Sequence, residues 1–135
     1  MSNVIGNGVS LRGLYHDDFQ YPFLLAAGIT IADQGKAVTL DASAANTVKL
    51  AGDGDRIIGR LEVVEIRVQE GINIGTVSIM GGLDFPAKAG YVAASGDNLV
   101  GAAGGLVNKG GVGAYSAWVA SGEFGPTGNP VAIRV

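Results

Sequence analysis

Apolar and polar positions alternate most regularly over residues 56–69. Leu61 and Val63 interleave with Arg60 and Glu62, and then Val64, Ile66 and Val68 interleave with Glu65, Arg67 and Gln69. This is the period of a half-buried β-strand. The apolar set changes parity between Val63 and Val64, and a strand keeping one face buried cannot do that without an extra residue. The pattern therefore predicts a bulge or bend at that step. Glu70-Gly71 turns the chain, and residues 74–80 run back with Ile74, Val77 and Ile79 apolar, completing a central strand pair.

Shorter apolar runs flank this pair, divided by turn residues. Asp33-Gln-Gly35 turns into a strand over 36–40, and a second strand is read over 47–50. Between them Asp41-Ala-Ser-Ala-Ala45 suits a helical turn with Asp41 near its cap. Gly52-Asp-Gly-Asp55 reads as a hairpin-type turn whose glycines permit positive φ. Beyond a brief strand over 83–86, residues 87–113 are rich in Gly and Ala. Turn signals fall there at 95–98 and 104–105, with short strands read over 91–93 and 106–108. Residues 114–120 alternate again, setting Tyr115, Ala117 and Val119 against Ser116, Trp118 and Ala120. After a loop over 122–130 the last strand is read over 131–135. No repeat, linker or second domain is evident.

The first 23 residues have a different texture. Gly6-Asn-Gly8 opens a polar start, and then Tyr15, Phe19, Tyr21 and Phe23 crowd together, half of the eight Phe and Tyr residues in the chain. Two readings stand. The aromatics plug the core from one or two N-terminal strands, or they belong to an extended arm that packs on a neighbouring subunit, as interface aromatics do. The arm reading divides the chain into residues 1–23 and a β-rich domain over 24–135.

Composition sharpens the fold class. The 23 glycines among 135 residues follow no collagen-like period. They suit turns, bulges and close backbone approaches far better than helix interiors. The expectation is a small all-β protein of one domain, a barrel or sandwich with Gly-rich loops. A hydrophobic fraction of 47% with only 16% charged residues excludes disorder and leaves apolar surface for a partner. There is no cysteine, hence no disulfide framework and no thiolate metal site. A net charge of −3, with the basic residues scattered, argues against nucleic acid. The start has no basic segment leading into an apolar run, and the apolar stretch over 23–32 is too short to span a bilayer, so neither secretion nor a membrane is expected.

Candidate chemistry is sparse. His16, beside Asp17 and Asp18, is the one histidine, and no serine stands in a Gly-x-Ser-x-Gly context to complete a triad. One His without Cys supplies too few zinc ligands. Asp53-Gly-Asp55 starts like a calcium loop, but its twelfth position is Val64 where a glutamate is required. The glycines around it fit neither a dinucleotide fingerprint nor a Walker loop. Glu62 and Glu65 are read as solvated cross-strand charges with Arg60 and Arg67. Trp118 is read as core or subunit interface, with sugar stacking as the sharper alternative. Neither catalysis nor a cofactor is expected.

The run Lys49-Leu-Ala-Gly-Asp-Gly-Asp-Arg-Ile-Ile-Gly59, continuing into Val63-Val-Glu-Ile-Arg-Val68 and Gly75-Thr-Val-Ser-Ile-Met80, resembles the capsid decoration or cement proteins of tailed bacteriophages. The likeness covers roughly residues 37–90 and consists of turn-and-strand patterns. It implies a β-tulip type barrel and a structural virion protein made in the host cytoplasm. Such a protein binds the outer surface of the phage head, stabilises the expanded capsid, and gathers as a homotrimer against the major capsid protein. Tyr15, Phe19, Tyr21, Phe23 and Trp118 are the candidate interface residues. The alternatives are another β-rich virion component, of tail or fibre, a carbohydrate-binding module, and an enzyme with an unfamiliar site.

Overall fold

The computed structural model describes residues 20–111, 117–121 and 129–134. Among these residues ten strands form two units. A closed barrel is made by β1 (Gln20–Leu25), β2 (Ala37–Leu40), β3 (Thr47–Leu50), β4 (Gly59–Arg67) and β5 (Ile72–Ser78), in the order β1-β3-β2-β4-β5. A five-stranded sheet follows from β6 (Gly81–Asp84), β7 (Asn98–Ala102), β8 (Leu106–Lys109), β9 (Ala117–Ser121) and β10 (Val131–Arg134), in the order β6-β10-β9-β7-β8. β1 and β3 run parallel, while the other pairs of named strands are antiparallel. The expected small all-β fold is what the chain adopts.

Two apolar cores result from alternation across shared strands. Val38, Val48, Leu61, Val64 and Val77 point into the barrel with Leu25 and Ile29. Ala37, next to Val38, points the other way, and with Ala51 and Ile57 it lies under the sheet against Leu83, Phe85, Leu99, Val107, Val119 and Ala132. Successive residues on a strand face opposite sides, so β2 serves both cores and makes the sheet and barrel one packed body.

The bulge expected in β4 is present, one step earlier than the parity change suggests. Leu61 pairs with Val77 and Val63 with Thr76, so Glu62 is the extra residue. Leu61 and Val64 are buried on the same side, and Val63 is turned outward. Beside the bulge, the segment that follows the 3₁₀ turn Ile31–Asp33 takes over the pairing. Leu61 N donates to the Lys36 carbonyl and Val64 N to Gln34 Oε1.

Several local expectations are corrected. β1 begins at Gln20, so Tyr21 and Phe23 belong to a barrel strand hydrogen-bonded to β5 and not to an arm ending at Phe23. Tyr15, Phe19 and His16 lie outside the described residues. Residues 91–93 form no strand; Tyr91 instead packs against the sheet core. Residues 41–46 make turns and no helix, with Asp41 Oδ1 accepting from the Ser43 amide and hydroxyl. β7, over residues where no strand was expected, is a strand between β8 and β9.

Candidate interaction surfaces and the Asp-Gly-Asp latch

The segment with the most distinctive sequence links the two units. β3 and β4 do not pair with each other, since β2 stands between them. Gly52-Asp-Gly-Asp55 is therefore a crossing turn, not a hairpin. Asp55 Oδ2 accepts from Gly52 N at 2.8 Å, and Asp53 Oδ1 accepts from Ala103 N, in the turn after β7, at 3.1 Å. Gly54 N donates to the Gly101 carbonyl, and Gly101 N donates back to the Asp55 carbonyl. Ile57 then enters the sheet core, while Ile58 packs beside the barrel core with its amide on the Val38 carbonyl. Both carboxylates are thus spent on backbone amides. Among the described residues no group of three His, Cys, Asp or Glu side chains is arranged to hold a metal. The motif is a latch between barrel and sheet.

A second tie is ionic. Arg60 leaves the outer face of β4 and is mostly buried with its partners. Its Nη1 reaches Glu62 Oε2 at 2.6 Å, and its Nε donates to the Asp84 carbonyl at 2.9 Å with Asp84 Oδ1 at 3.5 Å. Glu62, expected on an exposed face, is drawn inward because the bulge sets it beside Arg60. Nearby, Asp33 bridges Lys36 Nζ at 2.8 Å and the Thr30 amide at 2.9 Å. The Lys36 hydrogen bond, then the Thr30 amide, hold the Asp33 carboxyl below the usual carboxylate range.

A third tie closes the long connection between β6 and β7. Asp97 Oδ2 accepts from Tyr91 Oη at 2.9 Å and from Ala94 N at 3.0 Å, and Lys109 Nζ stands 3.7 Å from Oδ1. The Ala94 amide first, then the tyrosine hydroxyl, lower the Asp97 carboxyl. Burial, followed by the Asp97 hydrogen bond, raises the Tyr91 hydroxyl well above the ordinary phenol value.

These polar groups are arranged for holding. A cleft of about 440 Å³ opens at one end of the barrel, lined by Leu24, Ala27, Asp41, Ala44, Ile72 and Asn73. Asp41, the one titratable side chain in its lining, is engaged with Ser43. A shallower hollow of about 540 Å³ lies at the β4–β5 hairpin tip. There Arg67 is paired with both Glu65 and Glu70. Neither depression sets a nucleophile beside a base, as nucleophilic acyl transfer requires.

The exposed apolar side chains are more informative. Trp118, expected in a core or an interface, lies on the outer face of the sheet and is 37% exposed, with Ile133 and Asn98 as its cross-strand neighbours. Phe23 is partly buried against the barrel core, and Tyr21 is half exposed on the same strand. The structure therefore places Tyr21 and Phe23 together on β1 and Trp118 apart from them on the sheet. The sequence did not mark Ile133, Leu24, Val63 or Ile72 as surface residues, and all four are exposed. The parity change at Val63 was the available signal.

What the fold and these surfaces define is a class, a compact all-β module with polar ties inside and apolar patches outside. No protein-family model, curated protein or solved structure matches the chain.

Proposed function

We propose that this chain is a non-catalytic structural protein of a tailed-phage virion. It binds the outer surface of the head through the major capsid protein, gathers there as trimers and stabilises the expanded shell. The observation that carries the reading is the latch. The Asp53–Asp55 segment, on which the likeness to decoration proteins rests, is built into the junction of barrel and sheet by backbone hydrogen bonds from both sides. A clamp must transmit load between its contacts without opening, and such a junction suits that task. Trp118 and Ile133 on the sheet's outer face are the patch assigned to the capsid. Modest affinity at each site, repeated over a symmetric shell, would sum to a large stabilisation.

The decisive measurement is the copy number of the protein in purified particles of its source virus. Abundance close to that of the major capsid protein is expected. A few copies per particle would move it to a tail or vertex, and absence would overturn the virion reading. A carbohydrate-binding module is the second reading, favoured by the exposed face of Trp118 alone. Saturable quenching of its fluorescence by a glycan would support that reading.

A further inference from the structure

We infer that the cleft at the end of the barrel is a docking site for a basic side chain, lysine or arginine, presented by a segment of another polypeptide. The cleft follows from where β1 stops. β1 lies between β3 and β5, ends at Leu25 and turns at Ala27-Gly28. Past its end, the turn between β2 and β3 and the first residues of β5 line one cavity of about 440 Å³. Leu24, Ala27, Ala44 and Ile72 supply apolar walls, and Asp41 and Asn73 are set among them.

The polar groups indicate what fits. Asp41 accepts from the Ser43 amide and hydroxyl, both at Oδ1. Among the described residues Oδ2 accepts no hydrogen bond, and the Asn73 side chain makes none. The Ser43 hydroxyl, then its amide, hold the Asp41 carboxyl below the usual carboxylate range, so it is ionised at neutral pH. Lys49 on β3 is near enough to favour that charge but forms no ion pair with it. The one formal charge in the lining is therefore negative, with an oxygen to spare and apolar groups around it. Lysine and arginine answer both features, packing an apolar stem on the walls while the charged head reaches the carboxylate. An acidic or phosphorylated segment would meet like charge. Leu24 is 39% and Ile72 38% exposed, so the walls do not enclose a ligand. A free amine would leave too much of its surface in water here. A side chain carried by a polypeptide is also held by contacts made beyond the cleft.

The inference does not rest on the virion reading, and it is tested on the isolated full chain. Three probes are titrated into the tens of millimolar while backbone amide NMR shifts are followed: acetyl-Ala-Lys-Ala amide, acetyl-Ala-Glu-Ala amide and butylammonium. The lysine peptide should shift the Ser43, Ile72 and Asn73 amides saturably and leave the sheet amides in place. The glutamate peptide should shift none of them, and butylammonium should bind more weakly than the lysine peptide. Asp41→Asn keeps an acceptor for Ser43 and should weaken the lysine peptide about 10-fold, as loss of a charge-assisted hydrogen bond does. Ala27→Phe fills the cleft, keeps the carboxylate and should abolish binding, and it decides if Asp41→Asn fails to fold. No saturable shift with the lysine peptide, an equal response to the glutamate peptide, or unchanged binding in the variants would overturn the site. Butylammonium bound as tightly as the peptide would overturn the polypeptide as its occupant. None of these outcomes alters the copy-number measurement.

Discussion

A methyl group added at Gly101 would lie 2.6 Å from the Gly52 carbonyl oxygen and 2.7 Å from Ala51 Cβ. Gly52 belongs to the latch and Ala51, just before it, to the core under the sheet, so neither can give way without loosening the junction of sheet and barrel. Gly101→Ala should destabilise the protein by about 2 kcal/mol, as overpacking does, read from the urea midpoint. Arg60→Ala should lower stability by about 3 kcal/mol in the same measurement, because it leaves the carboxylates of Glu62 and Asp84 inside without their cation. At this scale the sequence was legible in kind but not in partner. The Asp-Gly-Asp turn was plain from its residues, but the fifty-residue reach from Asp53 to Ala103 was not, because turn chemistry says nothing about what the turn docks against. Gly101 lay in the Gly- and Ala-rich stretch over 87–113, where nothing set it apart.

Among elements, β4 is the sharpest case. Its parity change announced a bulge, yet Val64, Ile66 and Val68 share a period without sharing a burial. Val64 is enclosed by the barrel, whereas Ile66 and Val68 extend past its end. Val64→Asn should therefore destabilise by about 3 kcal/mol, and Val68→Asn by less than about 0.5 kcal/mol. β7 escaped the pattern because Asn98-Leu-Val-Gly-Ala102 is short, carries a glycine and follows a turn signal. Its identity as a strand comes from pairing with β8 and β9. The connection clasped by Asp97 has a definite pH response. Its carboxyl is lowered in the folded state, so ionised Asp97 contributes stability in full above about pH 5, which is lost as the pH falls below about 4. Asp33 adds a loss of the same sign. Tyr91 is raised, so its contribution is present below about pH 10 and lost above it. Hydrogen exchange at the Ala94 amide should accelerate in acid before the barrel amides do, and Tyr91 should ionise later than an ordinary phenol in an ultraviolet titration.

For the whole molecule, the single tryptophan makes docking directly readable. If the sheet's outer face meets the capsid, Trp118 emission should shift to the blue and lose access to iodide when the protein binds expanded shells. A spectrum unchanged on binding would assign the contact to another surface. The all-β class was legible because glycine and alternating runs leave little else to build, and so was the strand pair β4–β5. The division into barrel and sheet was not, since no local pattern tells a strand which of two cores it serves. Ala37 and Val38 differ by one position and face different interiors.

The order of strands in the sheet also bears on how the protein is made. β6 is the first strand of its sheet in the sequence, yet its partner is β10, with Leu83 set against Ala132 and Gly82 against Ile133. β10 also lies against β9. During synthesis the barrel can close as soon as β5 has left the ribosome, because its five strands are consecutive. β6 must wait for the strand that joins it to the rest of its sheet. Long-range pairing of this kind is slow to form, so a nascent chain should carry a finished barrel attached to an open apolar half-sheet. A pulse of protease during translation would cleave the second unit while sparing the first.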